Sequence, residues 1–215
     1  DPAFLKHSTD GSFLSGVNLL FLHHWVHQPF DDKYQPGMGM GWWGTHFSRF
    51  QTWIKPAKAF FTYMARCQML LQQGDYIPGS PHSTHRKTPE ADLFFVINNG
   101  DKVQKTYTFP IMGREPELWD AYRGTIRKTS QWRQEGEGTS VDLKLGKYES
   151  MFVVFPVKKG KYEVLPEVEI VKESEVPIIG PWKVTFQPKL DKPFHRTFHA
   201  LVDWSQQKED VLKYF

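Results

Sequence analysis

Apolar and polar positions divide the chain into two regimes. In the first, Val17-Asn18-Leu19-Leu20-Phe21-Leu22 is a short, nearly continuous apolar run. Such a run suits a strand buried on both faces, as in a parallel sheet or barrel. The preceding Phe4 to Ser15 predicts one or two helical turns. The run ends in His23-His24-Trp25-Val26-His27-Gln28-Pro29, and a glycine-rich stretch from Pro36 to His46 follows. From about Trp53 to Gln73 the period changes to 3.6. Trp53, Ala57, Phe60, Phe61, Met64, Cys67 and Leu71 share one face, and Gly74 stands where a helix C-terminal cap belongs. Strand, loop and helix make one βα unit, which cannot bury itself.

From residue 92 onward the period is two. Leu93–Ile97 is followed by Asn98-Asn99-Gly100-Asp101, a hairpin signal, and then by alternation through Val103, Lys105, Tyr107 and Phe109. Further strands are predicted at Thr125–Trp132, Val141–Leu145 and Met151–Phe155, with Glu117-Leu118-Trp119-Asp120 as a strand-edge turn. Closely spaced strands without helices between them predict an antiparallel sandwich. Tyr76 to Pro89 is polar, rich in Pro and Ser, and without hydrophobic period, which predicts a linker. Alternation resumes at Trp182, Val184 and Phe186, continues through Phe194–Leu201 and ends at Tyr214-Phe215. The expected organisation is therefore a barrel-type segment at 1–74, a linker at 75–91, a β-sandwich at 92–175, and the opening of a further β domain at 176–215. The start at Asp1-Pro2, without Met, is expected to be processed or truncated.

Composition narrows the function classes. The chain has 215 residues, 40% hydrophobic and 24% charged, which is globular. A net charge of +3, with both signs scattered, gives no basic stripe for a nucleic-acid backbone. The single cysteine, Cys67, excludes an intrachain disulfide and a cysteine-rich metal site. No apolar run reaches membrane-spanning length. Aromatics make up 15% of the chain, and they serve either as core or as flat platforms for ligands with one apolar face.

Three groups of residues are candidates for chemistry. His23 and His27 share one face of a strand while His24 points away, and His46 arrives from the loop. A strand separates His23 from His27 by about 13 Å, too far for one zinc ion without bending. The imidazoles remain open to hydrogen bonding with a ligand or to structural roles, and no metal site is assigned. The glycine loop matches neither a Walker loop nor a dinucleotide fingerprint. Its glycines let the backbone turn sharply so that Trp42 and Trp43 either project into a cleft, where sugar rings stack on indoles, or plug a barrel mouth. The carboxylates Asp31, Asp32, Glu90 and Asp92 read as surface charge, and Arg66 and Cys67 as structural.

These pieces resemble one family. Gly16-Val17-Asn18, Phe21-Leu22-His23, His27-Gln28-Pro29, Pro36-Gly37-Met38, Met40-Gly41, Trp43-Gly44-Thr45-His46-Phe47 and Thr52-Trp53 are similar to the glycoside hydrolase family 106 α-L-rhamnosidases. So are Ala65-Arg66-Cys67-Gln68, Leu70 to Gly74, Phe94-Phe95-Val96, Pro116 to Asp120, Phe152 to Phe155 and Gly180-Pro181-Trp182, in the family's order. The resemblance implies the closing strand–loop–helix of a (β/α)8 catalytic barrel followed by an antiparallel β-sandwich. It implies a large, exported bacterial enzyme, periplasmic or extracellular, that removes terminal α-L-rhamnosyl residues from plant polysaccharides with inversion. The ligand-facing residues would be His23, His27, Trp42, Trp43 and His46. The two catalytic carboxylates are expected upstream of Asp1, so no acid or base is named here. The chain itself shows no cofactor site, and calcium is an expectation for the full-length parent. Relatives carry a longer segment after the barrel helix than the stretch from Gly74 to Leu93 allows. The alternative is a non-catalytic carbohydrate-binding or structural β-sandwich protein.

Overall fold

The computed structural model describes residues 2–80, 82–101, 103–166, 175–188, 191–209 and 212. They fall into two compact units, Asp1–Val168 and Glu169–Phe215.

The first unit opens with helix α1 (Pro2–Leu14), runs through a long irregular segment, and forms helix α2 (Lys58–Leu71). Nine strands follow: β1 (Asp75–Ile77), β2 (Thr84–Lys87), β3 (Ala91–Ile97), β4 (Gln104–Phe109), β5 (Glu117–Asp120), β6 (Thr125–Lys128), β7 (Trp132–Glu135), β8 (Gly138–Lys144) and β9 (Ser150–Pro156). They make a six-stranded sheet in the order β1-β2-β3-β9-β5-β6 and a three-stranded sheet in the order β4-β8-β7, with every strand pair antiparallel.

The central strands β3 and β9 pair from Ala91↔Pro156 to Ile97↔Ser150. Both of their faces are buried, which is why they read as continuous apolar runs. Leu93, Phe95 and Ile97, with Phe152 and Val154, meet Phe13 of α1 and Tyr63, Cys67, Leu70 and Leu71 of α2. Phe94 and Val96, with Met151, Val153 and Phe155, meet Tyr107, Phe109, Val141 and Leu143 of the small sheet. The unit is thus three layers: helices, large sheet, small sheet.

Several expectations are corrected. Residues 75–91 are not a linker, because β1 and β2 extend the large sheet. The polar side chains of Thr84, His85 and Arg86 on β2 are buried with partners. The Thr84 hydroxyl donates to the Phe13 and Leu14 carbonyls at 2.6 and 2.8 Å, and Arg86 donates to Gln73 and Gly74 carbonyls at 2.8 and 2.6 Å. Phe13 and Leu14 close the last turn of α1, where carbonyls lack intrahelical partners, and Gln73 and Gly74 lie just past the end of α2. Gly74 itself has φ +51°, and a Cβ there would collide with the Lys87 carbonyl. The hairpin expected at Asn98–Asp101 is a sheet-to-sheet crossing, since β3 and β4 lie in different sheets. Asn98 holds that corner, donating to the Leu145 carbonyl at 2.8 Å and accepting from the Gly100 N–H at 3.1 Å. Thr125–Trp132 divides between β6 and β7, again in different sheets, and Glu117–Asp120 is a paired strand.

The apolar run at 17–22 is not a strand. No neighbouring strand among the described residues pairs with it, and Phe21 is 89% exposed. Side chains of α2 take up its backbone instead: Leu20 N–H donates to Gln68 Oε1 at 2.6 Å, and Gln72 Nε2 donates to the Asn18 carbonyl at 3.2 Å. The apolar face of α2 packs on the antiparallel sheet rather than on a parallel strand.

Within the second unit, β10 (Trp182–Phe186) pairs with β11 (Phe194–Phe198) along its full length. Phe186 is buried against Phe194 and Trp204, each with ring centroids at 5.0 Å. Tyr214 and Phe215 lie outside the described residues.

Candidate functional site

The long segment between α1 and α2 carries the five residues singled out from the sequence. It lacks regular structure beyond the short 3-10 turn Asp32–Tyr34, so discrete bonds set its course. Gln28 closes one loop by donating to the Met38 carbonyl at 2.6 Å and accepting its N–H at 2.8 Å. Arg49 ties the same region down through Asp32 Oδ1 at 2.9 Å and the Gln28 and Phe30 carbonyls. Asp32 is thus a surface ion-pair partner. A second closure brings the far end of the glycine loop back to the histidines. Thr45 N–H donates to the His23 carbonyl at 2.9 Å, His24 N–H donates to Thr45 at 2.9 Å, and Phe47 N–H donates to His24 at 3.0 Å.

This ladder assembles an imidazole cluster different from the one the strand geometry implied. His24 lies between His23 and His46, with ring centroids at 4.7 and 4.8 Å. His27 is exposed and makes no ring contact with them. Alternation puts His23 and His27 together only if residues 23–27 are extended and paired, and they are not. His24, which strand geometry turned away from the pocket, is the buried member. Both of its ring nitrogens are covered and have no hydrogen-bond partner among the described residues. Burial, and then the like charges that His23 and His46 acquire, hold its pKa below the ordinary histidine value; a backbone contact at Trp43 acts weakly the other way. No sequence signal distinguishes His24 from His23, because the choice depends on where the loop returns.

Beside the cluster, Trp42 and Trp43 stack on each other at 4.0 Å and 21° and remain 79% and 61% exposed. Phe21, Trp25, Met38 and Met40 are also exposed. The exposed imidazoles of His23 and His46 beside open indoles offer a ligand two kinds of contact: hydrogen bonding from imidazole and an apolar platform. The charged groups that act on His24 are imidazoles, not carboxylates. Among the described residues no group of three or more His, Cys, Asp or Glu is arranged to hold a metal ion. A nitrogen cluster also does not suit calcium, a hard cation that takes oxygen ligands.

Other chemistry-bearing side chains serve the fold. Cys67 is fully buried, and burial pushes its thiol up to about 12, so it is no nucleophile. Arg66 donates to the Ala121 and Tyr122 carbonyls. Asp92, read as surface charge, is instead buried with His85 and Arg114. Glu117 Oε2 accepts from Trp119 Nε1 at 2.9 Å and from the Tyr162 hydroxyl at 3.0 Å.

Comparison with known proteins places the match on this same segment. Residues 1–79 match the glycoside hydrolase family 106 model, described as alpha-L-rhamnosidase. A putative beta-glucuronidase of Formosa agariphila is 42% identical over 73 residues, which are 34% of this chain and 6% of that protein. The rhamnosidase structure from Novosphingobium sp. PP1Y aligns at 22% identity and a TM-score of 0.43, over 70% of this chain and 15% of that one. An Anoxybacillus alpha-amylase aligns at 18% identity and a TM-score of 0.32, over 48% and 24%. The chain therefore spans a small fraction of the length of each relative. No helix among the described residues is long and apolar enough to cross a membrane.

Proposed function

We propose that this chain, a family 106 glycoside hydrolase segment over residues 1–79, is part of a larger enzyme that cleaves terminal α-L-rhamnosyl residues from plant polysaccharides. The observation that carries the reading is coincidence. The matched residues are those that hold the indole pair and the imidazole cluster, and none of them is needed to fill the sandwich core between the two sheets. In this reading the parent is exported to the periplasm or beyond, and residues 1–74 close the catalytic barrel when the rest of it is present. Trp42 and Trp43 stack a sugar ring, and His23, His46 and His27 hydrogen-bond its hydroxyls. The acid and base, which would act with inversion, come from other parts of the parent. Calcium, if the parent binds it, takes its ligands there too.

Hydrolysis of an aryl α-L-rhamnoside, measured for the 215-residue protein beside a version extended upstream, tests the proposal. Turnover by the longer protein alone is the expected result. Turnover of an aryl β-glucuronide instead would move the specificity toward the activity for which the Formosa relative is named. Turnover of neither, with retained sugar binding, would establish the non-catalytic binding module.

In the extended protein, Trp43→Ala is expected to weaken rhamnoside binding about tenfold, the ~1.4 kcal/mol of one aromatic stacking contact. His46→Ala should weaken it in the same direction. Both side chains are exposed, so the stability of either variant should stay within about 0.5 kcal/mol of the parent. Calorimetric titration and urea unfolding read the two quantities, and unchanged affinity in both variants would remove these residues from the site.

A further inference from the structure

We propose that His24 is the pin that positions the Trp42–Trp43 loop, and that acidification releases this loop through the His23–His24–His46 cluster. The loop from Gly39 to Gly44 has two anchorages. One is the Gln28 clamp on Met38, and the other is the ladder in which His24 donates its N–H to Thr45 and accepts that of Phe47. Between them lie three glycines and exposed side chains, with no anchorage of the indoles themselves beyond their mutual stack. The order of the pair therefore depends on the ladder, and the ladder closes over the buried imidazole of His24.

That imidazole fits its place only while neutral. Its nitrogens are covered and have no hydrogen-bond partner among the described residues. The titratable groups facing it are His23 on its own segment and His46 on the returning loop; its remaining bonded or contacting neighbours, Trp43, Thr45 and Phe47, carry no ionisable group. A proton on His24 thus meets no carboxylate. It meets two exposed imidazoles, whose positive charge opposes its own. Because the folded pKa of His24 lies below its unfolded value, the ladder has its full stability above about pH 6.5 and loses it as pH falls from there through the folded pKa. The consequence for sugar binding rests on the carbohydrate reading above. The release of the loop does not.

Amide hydrogen exchange in the 215-residue protein, read on peptides covering residues 39–47 and corrected for the intrinsic pH dependence, separates the cases without any ligand. Between pH 7.5 and 5.0 the loop peptide should lose protection several-fold, while a peptide covering residues 91–97 of β3 keeps it. His24→Phe, which fills the space without titrating, should hold the loop protected at both pH values. The double variant His23→Gln/His46→Gln keeps His24 but removes the flanking charges that lower its pKa, and should make the loss between the two pH values smaller. Equal protection of the wild-type loop at both pH values would overturn the proposal. So would a pH-dependent loss in His24→Phe equal to that of the wild type, or parallel loss from β3, which would mark global unfolding.

Discussion

Phe94→Ala is expected to lower the stability of the first unit by about 3–5 kcal/mol, the range for truncating a buried aromatic. Phe94 has no exposed surface and sits on β3, between the two sheets. Its ring lies 4.7 Å from Phe109 and 5.9 Å from Phe155, edge to face with the latter, and stacks on His85 at 4.0 Å. Truncation removes contacts to β2, β4 and β9 together, so no single side chain can move in to fill the space. The loss should exceed the transfer term alone because strands paired on both edges cannot collapse inward. Urea unfolding should show a lower midpoint with an unchanged slope. Trp42→Ala, which removes a larger but 79% exposed ring, should change the midpoint little. A loss below about 1 kcal/mol for Phe94→Ala would mean that the two sheets do not share the core described.

The periodicity of the chain made the sandwich legible because its strands obey local rules. Leu93–Ile97 and Met151–Phe155 each became part of a strand, and so did Val141–Leu145 apart from its last residue. The face of α2 was legible too, though Tyr63 and Leu70 are buried beside the residues that the spacing marked. What the pattern missed are places where burial and hydrophobicity part company. Thr84, His85 and Arg86 are buried yet polar, since they answer carbonyls at the end of α1 and just past α2 and a carboxylate, and polar residues carry no hydrophobic period. The converse error is Val17–Leu22, apolar but unpaired. A strand is a property of two segments, and one segment cannot reveal whether a partner is present.

The candidate site was legible in composition but not in geometry. Trp42, Trp43, His23 and His46 do gather at one loop. The membership of His24 and the separation of His27 depend on a backbone ladder from His24 to Thr45, twenty-one residues further along the chain, which strand alternation cannot foresee.

Asp92→Ala should cost about 3 kcal/mol, the lower end for breaking a buried charge pair, because Arg114 keeps some solvent contact. Asp92 Oδ1 pairs with His85 Nε2 at 2.7 Å, and Oδ2 accepts from Arg114 Nη2 at 2.5 Å, while Arg114 Nη1 donates to the Phe155 carbonyl at 2.9 Å. One carboxylate thereby links β2, β3, β9 and the Arg114 loop. Burial alone would push its pKa up, but the hydrogen bonds and charges of Arg114 and His85 outweigh burial and hold it below the ordinary value. Burial likewise lowers the pKa of His85, against the opposing pull of Asp92. Both shifts make acid destabilising, in separate windows. The His85 contribution is present above about pH 6.5 and fades as pH falls from there; the Asp92 contribution is present above about pH 4 and fades below it. Removing Asp92 should abolish the lower step while keeping the upper one, since His85 stays buried and loses the partner that favoured its charged form. Urea midpoints of wild type and variant from pH 7.5 to 3.5 read both steps. A variant that keeps the step below pH 4, or loses less than about 1 kcal/mol at pH 7, would show that the carboxylate does not hold these strands together.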